Sequence, residues 1–245
     1  MKKKNISIIT ATYNAEEHLE NLIVSVIPHL SENIEFIVID GASTDRTLEI
    51  IQKYSKFISY WESEKDNGIY DAFNKGIQNS NSEFVCFVGA DDILLDNYSK
   101  TFLEAIQNNI NHNYYSSKAL VNGKVKGKNF TYNDLRNEMC AVHVGSLHRR
   151  SLFETVGYFS LEYKIAEDYN FLIKCKLNLK NYFIDETTMI INNNGVSNKN
   201  YLKTFFEVFL IRKKNKLKNI YLNIFLFFFN VLKISLKKLV KIFIT

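Results

Sequence analysis

Short apolar runs and stretches of helical period take turns through residues 6–88, and no other feature of this chain limits its folding as strongly. "ISIIT" reads as a strand, and "NAEEHLENLIVSVIPHL" follows with Leu19, Leu22, Ile23 and Val26 on one helix face. "IEFIVID" (residues 34–40) is the second strand. "GASTDRTLEIIQKY" is the next helix, with Ser43 or Thr44 expected as its cap. "FISYWESE", "GIYDAFNKGIQNS" and "EFVCFV" supply a third strand, a third helix and a fourth strand. Parallel strands need crossover connections, and helices are the usual ones. The expected architecture is therefore α/β: a Rossmann-like, mostly parallel central sheet flanked by helices.

The rhythm changes after residue 92. "NYYSSKALVNGKVKGKNFTY" predicts a hairpin around the Asn-Gly pair at 122–123. "AVHVGSLHRRSLFETVG" predicts a strand ending at His148-Arg149-Arg150 and then a helix. "YKIAEDYNFLIKCKL" predicts a loop, the carboxylates Glu167 and Asp168, and a further helix, before strands in "NYFIDETTMIINNNG". Tyr60 and Trp61 read as core, Tyr70 and Phe73 as an apolar helix face, and Cys86 as an inert buried thiol. With 46% hydrophobic residues the chain can bury one substantial core, so residues 1–198 are expected to form one domain.

Cys86, Cys140 and Cys175 are odd in number and lack CxxC spacing, which signals neither a disulfide framework nor a zinc site and suits a reducing, cytoplasmic setting. The apolar run behind the basic "MKKKN" is only five residues, short of the ~7–15 in a secretory signal. No signal peptide is expected.

Charge is unevenly spread. From Lys199 onward eleven Lys and Arg stand against Glu207 alone, a surplus of ten; as the whole chain is at +5, residues 1–198 carry −5. A basic tail suits a polyanion, but the "IYLNIFLFFFNVLKISLKKLVKIFIT" within it is too rich in Leu, Ile and Phe for nucleic acid. An anionic membrane surface is the expected partner. The uncharged residues 219–232 number 14, short of the ~20 of a spanning helix, while Lys233, Lys237 and Lys241 recur every fourth residue. Residues 199–245 are thus expected to be an amphipathic helical extension lying on the membrane, with a final helix packed on the domain as the alternative.

In open α/β sheets ligands sit at the carboxyl ends of the strands. Here those ends read "TATYN", "DGAS", "EKDNG" and "DD", with Asp91 and Asp92 adjacent. No GxGxxG or GxxxxGK[ST] occurs, which excludes the usual dinucleotide and P-loop signatures. Adjacent carboxylates can hold a hard divalent cation through oxygen, and equally form a solvated turn that caps "ILLDNYSKTFLEAI". Asp168, before a helix, is open to two readings, an N-cap or an aimed carboxylate base, with Glu167 as the backup. His143, His148 and Arg149 flank Gly145-Ser146 and could meet a diphosphate or an acceptor, or be structural.

Six stretches in order, "ISIITATYNAEEHLENLIVSV", "EFIVIDGASTDRTLEII", "EKDNGIYDAFNKGI", "FVGADDIL", "VHVGSLHRR" and "AEDYNFLIK", resemble the motifs of family 2 glycosyltransferases, inverting enzymes of the GT-A fold. The resemblance covers about residues 5–195 and is strongest to bacterial enzymes of exopolysaccharide and lipopolysaccharide assembly. It implies that Thr10, Ala11, Tyr13 and Asp40 hold the nucleotide base. Asp66, Gly68 and Asn74-Lys75 would line the ribose and diphosphate. Asp92 would ligate Mn or Mg, with Asp91 nearer the ribose or sugar. Asp168 would be the general base; His143, Ser146 and His148 stay candidates for diphosphate or acceptor from the residues alone, beside the structural alternative. Ala90 stands before the acidic pair, a departure from a literal DxD. The expected reaction moves a sugar from a UDP-linked donor to a saccharide or lipid-linked acceptor at the inner face of the cell membrane. A non-catalytic saccharide- or nucleotide-binding module and a nucleotidyltransferase are the alternatives; the second would usually advertise a basic, glycine-rich loop that "ITATYNAEE" lacks.

Overall fold

A computed structural model describes residues 4–192 and 200–244, with the side chains from Ile234 onward outside the described set. The first four strands are β1 (Lys4–Thr12), β2 (Ile34–Asp40), β3 (Tyr60–Ser63) and β4 (Ser82–Gly89). Helices α1 (Leu19–Val26), α2 (Thr47–Lys53) and α3 (Ile69–Gln78) connect them. β2, β1 and β4 pair in parallel with β1 between its neighbours, and β3 extends the array beyond β2. The chain turns outward from β1 to β2 and β3, then returns to the other side of β1 for β4. Strand order therefore reverses between β1 and β4, where such sheets open a crevice.

The second half is mixed. β5 (Ile93–Leu94), β6 (Tyr114–Val121), β7 (Lys124–Lys126), β8 (Leu147–Arg149) and β9 (Asn181–Ile191) complete a sheet of order β3-β2-β1-β4-β8-β6-β9-β5, with β7 on β6. β8 runs antiparallel to both β4 and β6, and β9 runs parallel to β6. The hairpin of β6 and β7 turns through Asn122 and Gly123, both at positive φ (51° and 70°), the primed turn that the Asn-Gly pair favours. Helices α4 (Tyr98–Asn108), α5 (Tyr132–Asn137), α6 (Ser151–Val156) and α7 (Glu167–Cys175) pack on this half.

Period-2 alternation sends side chains to both faces. Ile6, Ile8, Phe36, Val38, Phe84 and Cys86 meet Leu19, Leu22, Ile23 and Val26 of α1 on one face. Ile9, Ile37, Val85 and Phe87 meet Tyr70, Phe73, Phe171 and Leu172 on the other. Each such side chain contributes about 1.5–3 kcal/mol through burial, so the sheet is held from both sides. Tyr60 and Trp61 are half-buried against these two clusters.

Two local expectations give way. Helix α2 starts at Thr47, and neither Ser43 nor Thr44 caps it; the Thr47 amide donates to Asp45 Oδ1 at 3.0 Å, while the Ser43 hydroxyl turns back to Asp40. Nor does the Asp91-Asp92 pair cap α4, because β5 intervenes and pairs with β9.

Beyond the undescribed residues lie α8 (Tyr201–Lys214) and α9 (Ile220–Ile244). The 198/199 boundary expected from charge lies outside the described residues, as do the side chains of Lys237 and Lys241 in the expected basic stripe. Helix α8 is docked on the domain: Ile211 is fully buried in the α3–α7 side of the core, and Glu207 and Arg212 are buried beside it. Helix α9 leans on α8 through Asn223, whose amide donates to the Phe209 carbonyl at 2.9 Å, and through the Phe209 and Phe227 rings. Its other side leaves Tyr221, Phe225, Phe228, Phe229 and Leu232 half or more exposed. Among the described residues no helix is long and apolar enough to cross a membrane.

Candidate active site

A cleft of about 710 Å³ opens at the carboxyl ends of β1 and β4, within the size range of small-ligand sites. Ala11, Tyr13, Asp66, Gly68, Asp91, Asp92, His143 and Asp168 all line it. Thr10, Asp40, Lys75, Ser146 and His148 do not. Their places have physical reasons.

Asp40, at the end of β2, is fully buried and already saturated: it accepts from the Ser43 amide at 2.9 Å, the Ser43 hydroxyl and the Ser63 hydroxyl at 2.6 Å. It ties the rim at the end of β2 to the end of β3. Ser43 in turn accepts from the Asn14 amide, and Asn14 Oδ1 accepts from the Thr44 amide, so the loops after β1 and β2 are fastened to each other. Thr10 is fully buried inside β1. Lys75 points away from the cleft to Glu62 and Glu64, at 3.4 and 3.6 Å. The Ser146 hydroxyl donates to the Val142 carbonyl. His148 is fully buried between the rings of Phe87, Tyr114 and Phe153, and burial, reinforced by neighbouring His143, holds its pKa well below the usual imidazole range.

His143 does reach the cleft. Its ring lies parallel to Phe87 with centroids 5.6 Å apart, and burial lowers its pKa against the opposing pull of Asp168. It therefore presents a neutral imidazole, and its Nε2 has no hydrogen-bond partner among the described residues.

The acidic pair owes its shape to Gly89. A Cβ there would stand 2.8 Å from Asp92 Oδ2 and 3.1 Å from Asp91 Oδ1, so only glycine lets both carboxylates fold back over the strand end. Asp92 Oδ2 accepts from the Gly89 amide at 2.9 Å, and Oδ1 accepts from the Asn192 amide at 3.1 Å. Asp92 is only 3% exposed. Burial first, and the Asp91 charge second, push its pKa up to about 7 against those two amides. No Lys or Arg pairs with either carboxylate among the described residues, so the pair is short of positive charge. The lining as a whole repeats this imbalance: Glu17, Asp66, Asp91, Asp92 and Asp168 face Lys164 as the sole Lys or Arg among the described residues that line it. A diphosphate would be repelled unless a cation came with it. Two oxygen-bearing side chains with room for water and phosphate oxygens fit what Mg²⁺ or Mn²⁺ asks of a site.

Asp168 stands in the first turn of α7. It is not the N-cap, a position held by Ala166 without a side-chain bond. Its Oδ1 accepts from the Tyr169 amide at 2.7 Å and lies 3.3 Å from the Tyr70 hydroxyl, while its Oδ2 has no partner among the described residues. Glu167 cannot take its place. That side chain is fully buried, accepting from the Ser160 amide and the Asn170 side chain, with Lys174 at 3.4 Å.

Four residues of the site carry no sequence signal. Tyr70 lies on the apolar face of α3, yet its hydroxyl reaches the Ile165 carbonyl at 2.8 Å as well as Asp168. Lys164 lines the cleft and donates to the Asn67 carbonyl at 2.7 Å. Asn192 meets Asp92 from the end of β9, and Glu207 meets the loop before α7 from α8. All of these contacts join segments far apart in the chain.

A curled α/β sheet whose crevice gathers carboxylates at its strand ends defines an enzyme of the GT-A type. The chain belongs to glycosyl transferase family 2, whose family model matches residues 7–167, and it is a glycosyltransferase. It is 28% identical over 180 residues to a PGL/p-HBAD biosynthesis glycosyltransferase of Mycobacterium bovis, covering 69% of this chain and 68% of that protein. A 93-residue stretch is 33% identical to a putative teichuronic acid biosynthesis glycosyltransferase, TuaG, of Bacillus subtilis, 37% of each chain. In fold it is similar to residues 1–349 of S. aureus TarS crystallised with UDP-GlcNAc (TM-score 0.68, 22% identity), covering 84% of this chain and 66% of that one. It is also similar to a mannosyltransferase of Pyrobaculum calidifontis in complex with GDP-Man and Mn²⁺ (TM-score 0.64, 16% identity, 89% of this chain and 66% of that one).

Proposed function

We propose that this enzyme is an inverting glycosyltransferase that moves a sugar from a UDP-linked donor to a saccharide or lipid-linked acceptor in cell-surface polysaccharide assembly. The observation that carries the reading is that Asp91 and Asp92, at the end of β4, and Asp168, at the start of α7, line one cleft. Asp168 takes the proton of an acceptor hydroxyl as that oxygen attacks the anomeric carbon; the bond from that carbon to the diphosphate oxygen breaks, the diphosphate leaves with the electron pair, and the configuration inverts. Asp92, with Asp91, would hold Mn²⁺ or Mg²⁺, which when bound offsets charge on the departing diphosphate. Tyr13, Ala11, Asp66 and Gly68 are assigned to the nucleotide side and His143 to the sugar or acceptor side. Thr10, Asp40 and the Ser146–His148 segment act from behind the cleft wall. The structural likenesses with UDP-GlcNAc and with GDP-Man and Mn²⁺ support a nucleotide sugar and a divalent cation.

The exposed apolar side of α9, with Phe225 61% and Phe228 64% exposed, supports docking on an anionic membrane at the inner face, where a lipid-linked acceptor would lie. The test is a screen of UDP- and GDP-sugars for diphosphate release with Mn²⁺, Mg²⁺ or EDTA, followed by Asp168→Asn on the best donor. Lost transfer with unchanged UDP binding supports the base assignment. Wild-type transfer by Asp168→Asn removes it, and release from no donor favours a binding module.

A further inference from the structure

Glu207 sits on α8, outside the residues that the family model matches and within the stretch that charge alone would assign to a basic tail. Glu207 is 5% exposed, and its carboxylate pairs with no cationic side chain among the described residues. Instead it takes three consecutive backbone amides. Oε1 accepts from Lys164 at 3.0 Å, and Oε2 accepts from Ile165 at 2.8 Å and Ala166 at 2.9 Å. A buried carboxylate is costly unless it is fully hydrogen-bonded, and an apolar side chain would dock α8 without that cost. The amides it receives lead into α7, so the anion also sits against the positive end of that helix.

The peptide thus seized is the one that delivers Asp168. Ile165 is held from both sides, its amide on Glu207 and its carbonyl on the Tyr70 hydroxyl, and the same hydroxyl is 3.3 Å from Asp168 Oδ1. Lys164 adds a tie to Asn67, at the turn before α3. Glu207 on α8, Tyr70 on α3 and Asn67 before α3 all hold the loop, and the carboxylate among them comes from α8.

We propose that Glu207 is a positioning residue for Asp168: it fixes the 164–166 loop so that the base faces the cleft, and α8 is therefore a working part of the active site. This rests on Asp168 being the base. A misplacement of about 1 Å at a reacting group can cost about a hundredfold in rate. The experiment compares full-length Glu207→Ala, Glu207→Gln and Asp168→Asn with the wild type. Calorimetry with UDP and Mn²⁺ counts binding sites, and turnover per UDP site is measured on the donor found by the screen. Glu207→Ala is expected to keep UDP affinity within about twofold and donor KM unchanged, while turnover per site falls about tenfold to a hundredfold. Glu207→Gln, which keeps one acceptor oxygen, should fall between. A merely structural role would lower the number of sites and leave turnover per site intact, which overturns the proposal. If Glu207→Ala binds no UDP, Glu207→Gln decides, and wild-type turnover per site in that variant overturns it equally. An inactive Asp168→Asn beside a fully active Glu207 variant refutes the positioning role alone; an active Asp168→Asn refutes the base assignment itself.

Discussion

Asp92→Asn tests the electrostatics of the cleft most directly. In the folded protein the Asp92 pKa is raised from 3.8 to about 7, so the folded state holds the proton more tightly than the unfolded chain does. That contribution to stability is complete below about pH 4 and is lost as pH rises to about 7. Three units at ~1.4 kcal/mol each set a ceiling of about 4 kcal/mol, of which about 3 kcal/mol falls between pH 5 and pH 8. His143 and His148, whose pKa values are lowered, act in the opposite sense, losing stability as pH falls, and they cancel when variant and wild type are subtracted. The assay is urea unfolding in EDTA, followed through the lone tryptophan, Trp61. An asparagine at 92 meets the Gly89 and Asn192 amides with one acceptor only, a pH-independent cost of about 1–2 kcal/mol. The stability of the variant relative to wild type should therefore climb by about 3 kcal/mol from pH 5 to pH 8, whatever its offset. At pH 8, Mn²⁺ should stabilise the wild type and leave the variant unmoved. Parallel pH curves, or equal stabilisation of both proteins by Mn²⁺, would refute the reasoning.

Two further outcomes are expected. Tyr70→Phe removes the hydroxyl shared by Ile165 and Asp168; it should cost about 1–2 kcal/mol in urea unfolding and several-fold in turnover per UDP site, and an unchanged turnover would place Asp168 outside the hold of Tyr70. Replacing Phe225 and Phe228 by Ser removes two exposed rings, each worth about 1.5–3 kcal/mol if buried in lipid, so flotation with phosphatidylglycerol vesicles should weaken at least about tenfold while unfolding midpoints stay put. Undiminished flotation would rule out this face of α9 as the docking surface.

The sequence by itself determined the sheet's parallel half. Ile34–Asp40 could be read as a strand to the residue because its apolar run is continuous and bounded, and Asn122-Gly123 as a turn because both positions must take positive φ. It also determined that acidic groups collect on one rim, since parallel strands joined by crossover helices bring their carboxyl ends to the same side. Whether a given rim residue faces ligand or scaffold depends on neighbours that arrive from elsewhere in the chain, and only the tertiary structure decided that. Asp40 is consumed by Ser43 and Ser63 although it stands at a strand end, where local pattern puts ligand contacts, and Lys75, which the family resemblance put beside the ribose and diphosphate, is consumed by Glu62 and Glu64. Asp92 meets Asn192, Asp168 meets Tyr70, and the 164–166 loop meets Glu207, across separations no periodicity encodes. A hydrogen bond is satisfied by whichever partner the packing of whole elements delivers, so the charge of Glu207, legible as one acid in a basic tail, gained its place only when α8 docked.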